Sequence, residues 1–170
     1  VWLPVASCAS ARAERVEAAL LSDEPPKDFW IAATVMRPVP LGAIINARTN
    51  VDRPTVKQPA RYIVEADAIL RAAVGYGATE QTFPPETRQL SHAQYRDLWL
   101  ALRDSPLVDP DHPNRVGKLP ELDEFNRETE GRGGYCISFA LAGERRILAV
   151  DEASPAAPDA RELVARLRRP

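Results

Sequence analysis

The run Phe29–Arg37 (FWIAATVMR) is apolar at almost every position. Phe29, Ile31, Ala33 and Val35 share one face, and Trp30, Ala32, Thr34 and Met36 share the other. A strand that is apolar on both faces is covered on both sides, so this one belongs near the centre of a sheet. Pro38 and Pro40 stop it, because proline donates no ladder hydrogen bond. Two alternating runs follow, Ala60–Glu65 (ARYIVE) and Ile69–Gly75 (ILRAAVG). They flank Ala66-Asp67-Ala68 and predict a hairpin, although the connection lacks the glycine usual at a positive-φ position. A second hairpin is predicted from Tyr135–Leu141 and Arg145–Val150 about Ala142-Gly143-Glu144. Ala43–Asn46 is a candidate for a further short strand.

Helical spacing is clearest in Ser91–Leu102. Tyr95, Leu98, Trp99 and Leu102 form one stripe. Ser91 has Gln94 three residues on, the capping-box arrangement, and Leu90 is placed to staple Tyr95. Pro106 bars continuation. A last helix is predicted with Asp159 as its cap and Glu162 at the third position. Leu163, Val164 and Leu167 face inward, and Arg166, Arg168 and Arg169 lie where the helix dipole favours cations. Near the start, Arg12–Leu21 has Val16, Leu20 and Leu21 at helical spacing and is ended by Pro25-Pro26. Residues 105–133 form a long polar, proline-bearing segment expected to cover little of the core, with a helical turn near Leu119–Phe125. Hairpins interleaved with helices predict an α+β fold, an antiparallel sheet built from hairpins with helices packed on one face.

Composition changes the picture little. The 170 residues suffice for a single core, and 45% hydrophobic with 27% charged is ordinary for a globular chain. A net charge of -2 offers no general attraction to nucleic acid. The first ten residues, VWLPVASCAS, say more. Val5-Ala6-Ser7-Cys8 matches a bacterial lipobox: an aliphatic residue, two small residues, then the cysteine that is lipidated. Trp2, Leu3 and Val5 would close an apolar signal-peptide core. The expected organisation is a signal-peptide remnant at 1–7, a lipidated cysteine and tether at 8–27, and a single α+β domain at 28–170. More than one acyl chain on Cys8 gives stable anchoring without a membrane-spanning helix. The expected partner is therefore a membrane, reached through a lipid anchor, and not nucleic acid. If Cys8 is acylated, Cys136 is a lone thiol; if it is not, and the compartment is oxidising, a Cys8–Cys136 bridge is the alternative.

Candidates for chemistry are few. No glycine-rich phosphate loop is present. Cys136 alternates with apolar neighbours, as a buried, inert thiol does. Its use as a nucleophile needs His92 or His112 in contact and a third orienting group. Asp109, Asp111 and His112 (DPDHP) bring two carboxylates and an imidazole together. Flanking prolines limit their convergence, and a metal site needs more ligands than these. No metal, cofactor or catalytic residue is expected. Glu65 and Asp67 sit at a hairpin turn, where turn chemistry accounts for the aspartate.

Two stretches carry a resemblance. Pro59–Gly75 (PARYIVEADAILRAAVG) and Phe83–Ser91 (FPPETRQLS) resemble a hairpin and the lead into a helix in uncharacterised bacterial envelope lipoproteins. Those proteins tend to carry glycine after the aspartate, where this chain has Ala68. The resemblance implies a small hairpin and helix domain in the cell envelope and no particular activity. The expected function is that of a lipid-anchored envelope protein serving as a non-catalytic binding or structural module. The alternatives are a small-ligand carrier or sensor, or a hydrolase using Cys136 or the Asp109/Asp111/His112 cluster.

Overall fold

The computed structural model describes residues 6–37, 58–75 and 77–169. Ala43–Asn46 and most of the expected signal-peptide remnant lie outside the described residues, as does the side chain of Cys8. The described elements run α1 (Ala6–Leu20), β1 (Trp30–Met36), β2 (Ala60–Val64), β3 (Ile69–Val74), β4 (Glu86–Gln89), α2 (His92–Arg103), α3 (Leu122–Glu128), β5 (Gly134–Leu141), β6 (Glu144–Asp151) and α4 (Ala157–Arg168). The strands form one antiparallel sheet of order β4-β3-β2-β1-β5-β6. The fold is α+β, with helices beside the sheet. The doubly apolar β1 is indeed interior, between β2 and β5.

Strand alternation divides the buried residues into two sets. On the first face, Ile31, Ala33 and Val35 of β1 join Tyr62, Val64, Leu70, Tyr135, Ile137, Phe139, Leu148 and Val150 in the main core. The three longer helices cover that face. α1 contributes Val16, α2 the stripe Tyr95, Leu98, Trp99 and Leu102, and α4 Ala160, Leu163, Val164 and Leu167. Trp99 is fully buried, edge-on to Phe29 with 5.2 Å between ring centroids, and its Nε1–H donates to the Ser22 carbonyl at 3.0 Å. Leu21, expected at helical spacing with Val16 and Leu20, lies just past the end of α1 and is exposed. The opposite sheet face buries a smaller set, Met36, Cys136 and Ile147, under Phe125 of the short α3.

α2 begins as its sequence dictates. Ser91 accepts from the Gln94 amide at 3.2 Å, and the Gln94 side chain accepts from the Ser91 amide at 2.9 Å. α4 begins earlier than expected: Ala156 is its N-cap, and Asp159 lies inside the first turn. Pro158 explains the shift, since its fixed φ suits the first turn and its missing N–H costs nothing there. β4 was not anticipated. Its four residues (ETRQ) carry no apolar alternation, and it exists because β3 offers an edge to pair with.

The expectation that residues 105–133 cover little of the core is corrected. Leu107, in a single 3-10 turn, is fully buried, and Phe125 is 2% exposed. Residues 114–116 run along the outer edge of β6. There the Val116 amide donates to the Ile147 carbonyl at 2.9 Å, and the Ala149 amide donates to the Asn114 carbonyl at 2.9 Å. The segment is polar because it lies on the surface, yet it closes a strand edge that would otherwise stay unpaired.

Candidate functional site

The second sheet face carries the residues of most chemical interest, and strand register arranges them as a grid. In one row across the sheet stand Arg61 of β2, Thr34 of β1 and Cys136 of β5. The next row is Ile63, Ala32 and Ser138. Beyond it lie Trp30, Ala140 and Arg145. The small side chain of Ala32 leaves the middle of this grid low. The result is a depression of about 370 Å3, lined by Trp30, Ala32, Arg61, Ile63, Ser138 and Arg145, with Glu65 at its rim.

Arg61 forms one end of the depression and is only 7% exposed. Its Nε donates to the Thr82 carbonyl at 3.2 Å, and its Nη1 donates to Thr34 Oγ1 at 2.5 Å. Among the described residues its Nη2 has no hydrogen-bond partner, and no carboxylate stands within ion-pair distance of the guanidinium. Burial pulls its pKa down from the ordinary value, while Cys136 and Glu80 act to raise it. A guanidinium nevertheless remains cationic in proteins. Glu65 is held at the rim by Arg71, at 3.0 Å. At the other end, the exposed Arg145 stacks its guanidinium over Trp30, 5.5 Å from the ring centroid. Ser138 is 1% exposed, and its hydroxyl has no hydrogen-bond partner among the described residues.

Cys136 is fully buried in the same row as Arg61. Burial pushes its thiol up to about 12, with Glu80 adding to the rise and Arg61 and Arg145 opposing it. It is neutral at physiological pH and packs against Met36, Phe125 and Ile147. Neither histidine joins it. His92 is exposed at the start of α2, with Nε2 at 3.1 Å from Glu24. His112 is buried beside Ser154 and Pro155, and its Nδ1 accepts from the Asn114 amide at 3.1 Å. Asp109 and Asp111 act in a turn, the Asp109 carboxylate accepting from the Asp111 amide at 2.8 Å. The two aspartates and His112 are not brought together around a common point, and no cluster of three or more such ligands is found among the described residues.

A smaller cleft of about 150 Å3 opens on the helical face between β3, α2 and α4, near Leu70, Leu98, Arg88 and Arg166. Arg166 is already paired there with Asp97. The depression on the other face is the larger of these two clefts, and the Arg61 in its wall has no carboxylate partner among the described residues.

No known protein family, curated protein or solved structure matches the chain.

Sequence reasoning missed this site because it was distributed. Arg61, Thr34 and Ser138 come from three strands, and each looked like a polar position in an apolar run. The one available signal was Arg61 itself, a cation alternating onto the opposite side from Tyr62 and Val64 in a strand next to the sheet centre.

Proposed function

We propose that this protein is a non-catalytic binding module of the bacterial cell envelope, held at a membrane by a lipid on Cys8, and that the depression on the second sheet face is where it takes a small ligand. The observation that carries the binding half is Arg61: a nearly buried guanidinium, unpaired by any carboxylate among the described residues, at the wall of an open cavity. Burying a charge without a partner is costly, and binding sites are where such a cost recurs. The fully buried, neutral Cys136 beside it favours binding over thiol chemistry.

The address rests on Val5-Ala6-Ser7-Cys8. α1 supplies a physical consequence. Cys8 lies on the same helix as Val16, which is buried in the main core. Eight residues of helix at 1.5 Å each would hold the domain within about 12 Å of the lipidated residue. Metabolic labelling of the full-length precursor with a radioactive fatty acid tests this half. Wild-type chain is expected to take up label and sediment with membranes, and Cys8→Ser to do neither. Membrane association that survives in Cys8→Ser would overturn the anchor.

A further inference from the structure

We infer that the depression takes a small organic anion, a carboxylate or phosphate ester carrying a flat apolar body, with its charge on Arg61. The inference deepens the binding reading above and rests on it.

Three features of the site set the ligand's chemistry. The first is the unfilled donor capacity of Arg61. A guanidinium has five N–H donors, and the two on Nη2 are without partners among the described residues. The planar fork matches the oxygen pairs of carboxylate and phosphate. The Ser138 hydroxyl, in the neighbouring row and without a partner among the described residues, lines the same depression.

The second is charge. The depression is walled by two arginines against one glutamate, and Glu65 is already engaged by Arg71. Glu80 also acts on Arg61, but from beyond ion-pair distance, and it tempers the positive field without filling the site.

The third is shape. Two strand steps separate the Arg61 row from the Trp30 row, about 13 Å at 3.3 Å per residue. Between them the floor is Ala32 and Ile63, which offer apolar contact and no hydrogen bonds. An anion seated on Arg61 would therefore lay its body across Ala32 toward Trp30, where the indole and the stacked Arg145 bound the far end. A bare inorganic anion would use only one end of the site.

The test is two-dimensional NMR of the full chain labelled with 15N, following the Trp30 indole and Arg61 Nε signals. The probes are benzoate, phenyl phosphate, inorganic phosphate and benzyl alcohol, the last a neutral counterpart of similar shape. Benzoate or phenyl phosphate is expected to shift both signals saturably in the millimolar range or below. Benzyl alcohol should bind at least about tenfold more weakly, as expected when a charge-assisted hydrogen bond is missing. Which of the two anions binds more tightly distinguishes a carboxylate from a phosphate ligand. Arg61→Gln should weaken binding by about tenfold or more. Arg145→Ala, at an exposed position that the fold tolerates, should weaken it by a smaller factor. Its Arg61 signal keeps the test valid if Arg61→Gln does not fold. Equal binding of benzyl alcohol and benzoate would overturn the anion while leaving a ligand site in the depression. Shifts confined to residues outside the depression, or no shift with any probe, would overturn both the anion and the site.

Discussion

Ala68 shows how a single residue can carry a cost that its neighbours tolerate. It closes the β2–β3 turn with φ at 65°, a conformation in which a Cβ is unfavourable. The turn holds because the Ala68 amide donates to the Glu65 carbonyl at 2.9 Å and Asp67 Oδ1 accepts from the Ile69 amide at 3.2 Å. The missing glycine noticed in the sequence is therefore a real local strain. Ala68→Gly is expected to stabilise the domain by roughly 0.5–1 kcal/mol, the relief of the Cβ exceeding the extra freedom of the unfolded chain. Chemical denaturation of the two proteins should show the midpoint moving up with the slope unchanged. In the other hairpin Ala142 and Gly143 have φ of 50° and 82°, so one of two left-handed positions already has its glycine. The Asp28 carboxylate accepts from both amides, which fixes that turn from outside.

At the scale of elements, α2 and the β5–β6 pair hold the domain by different means. α2 is specified locally by its capping box and stripe. Ser91→Ala removes the acceptor for the Gln94 amide and should cost about 0.5–2 kcal/mol, seen as a lower melting temperature. β5 is specified by close approach. A Cβ at Gly134 would meet the Val150 carbonyl oxygen at 2.1 Å and Phe125 Cζ at 2.8 Å. The backbone oxygen cannot swing aside as a side chain can. Gly134→Ala should therefore separate the start of β5 from β6 and lift α3, costing roughly 3 kcal/mol or more. Hydrogen exchange would find lost protection at the amides of β6 near Val150 and at Phe125. Exchange unchanged from wild type would show that the strands have room to accommodate a methyl group.

For the whole molecule, the charge network that ties α4 to the sheet sets an acid limit on stability. Glu152 receives Arg37, Arg161 Nη2 at 2.7 Å and the Tyr135 hydroxyl at 3.0 Å. Burial acts to raise its pKa, but these three donors outweigh it and hold the carboxyl below its ordinary value of 4.5. A folded-state pKa below the unfolded one contributes stability above the unfolded value, and that contribution disappears as pH falls through the folded one. Urea melts between about pH 6 and pH 3 should show stability declining with acid. Glu152→Gln should flatten part of that decline while lowering stability at neutral pH. A parallel pH profile in the variant would remove Glu152 from the acid limit.

The sequence by itself determined the local elements and the class of fold. Period-two runs, a capping box and paired prolines act over a few residues, so β1, both hairpins and α2 were legible without knowledge of their neighbours. It also displayed the lipobox-like start, since that motif is contiguous. Tertiary structure decided what no local pattern encodes. β4 forms only because an edge was open to it. The polar stretch 105–133 is ordered by Leu107 and Phe125, two anchors too sparse to show a period. The depression around Arg61 follows from register, which aligned residues of separate strands across 27 and 106 positions of chain, as from Thr34 to Arg61 and from Ala32 to Ser138. A charge becomes unusual only when burial removes its water, and burial is a property of the packed molecule.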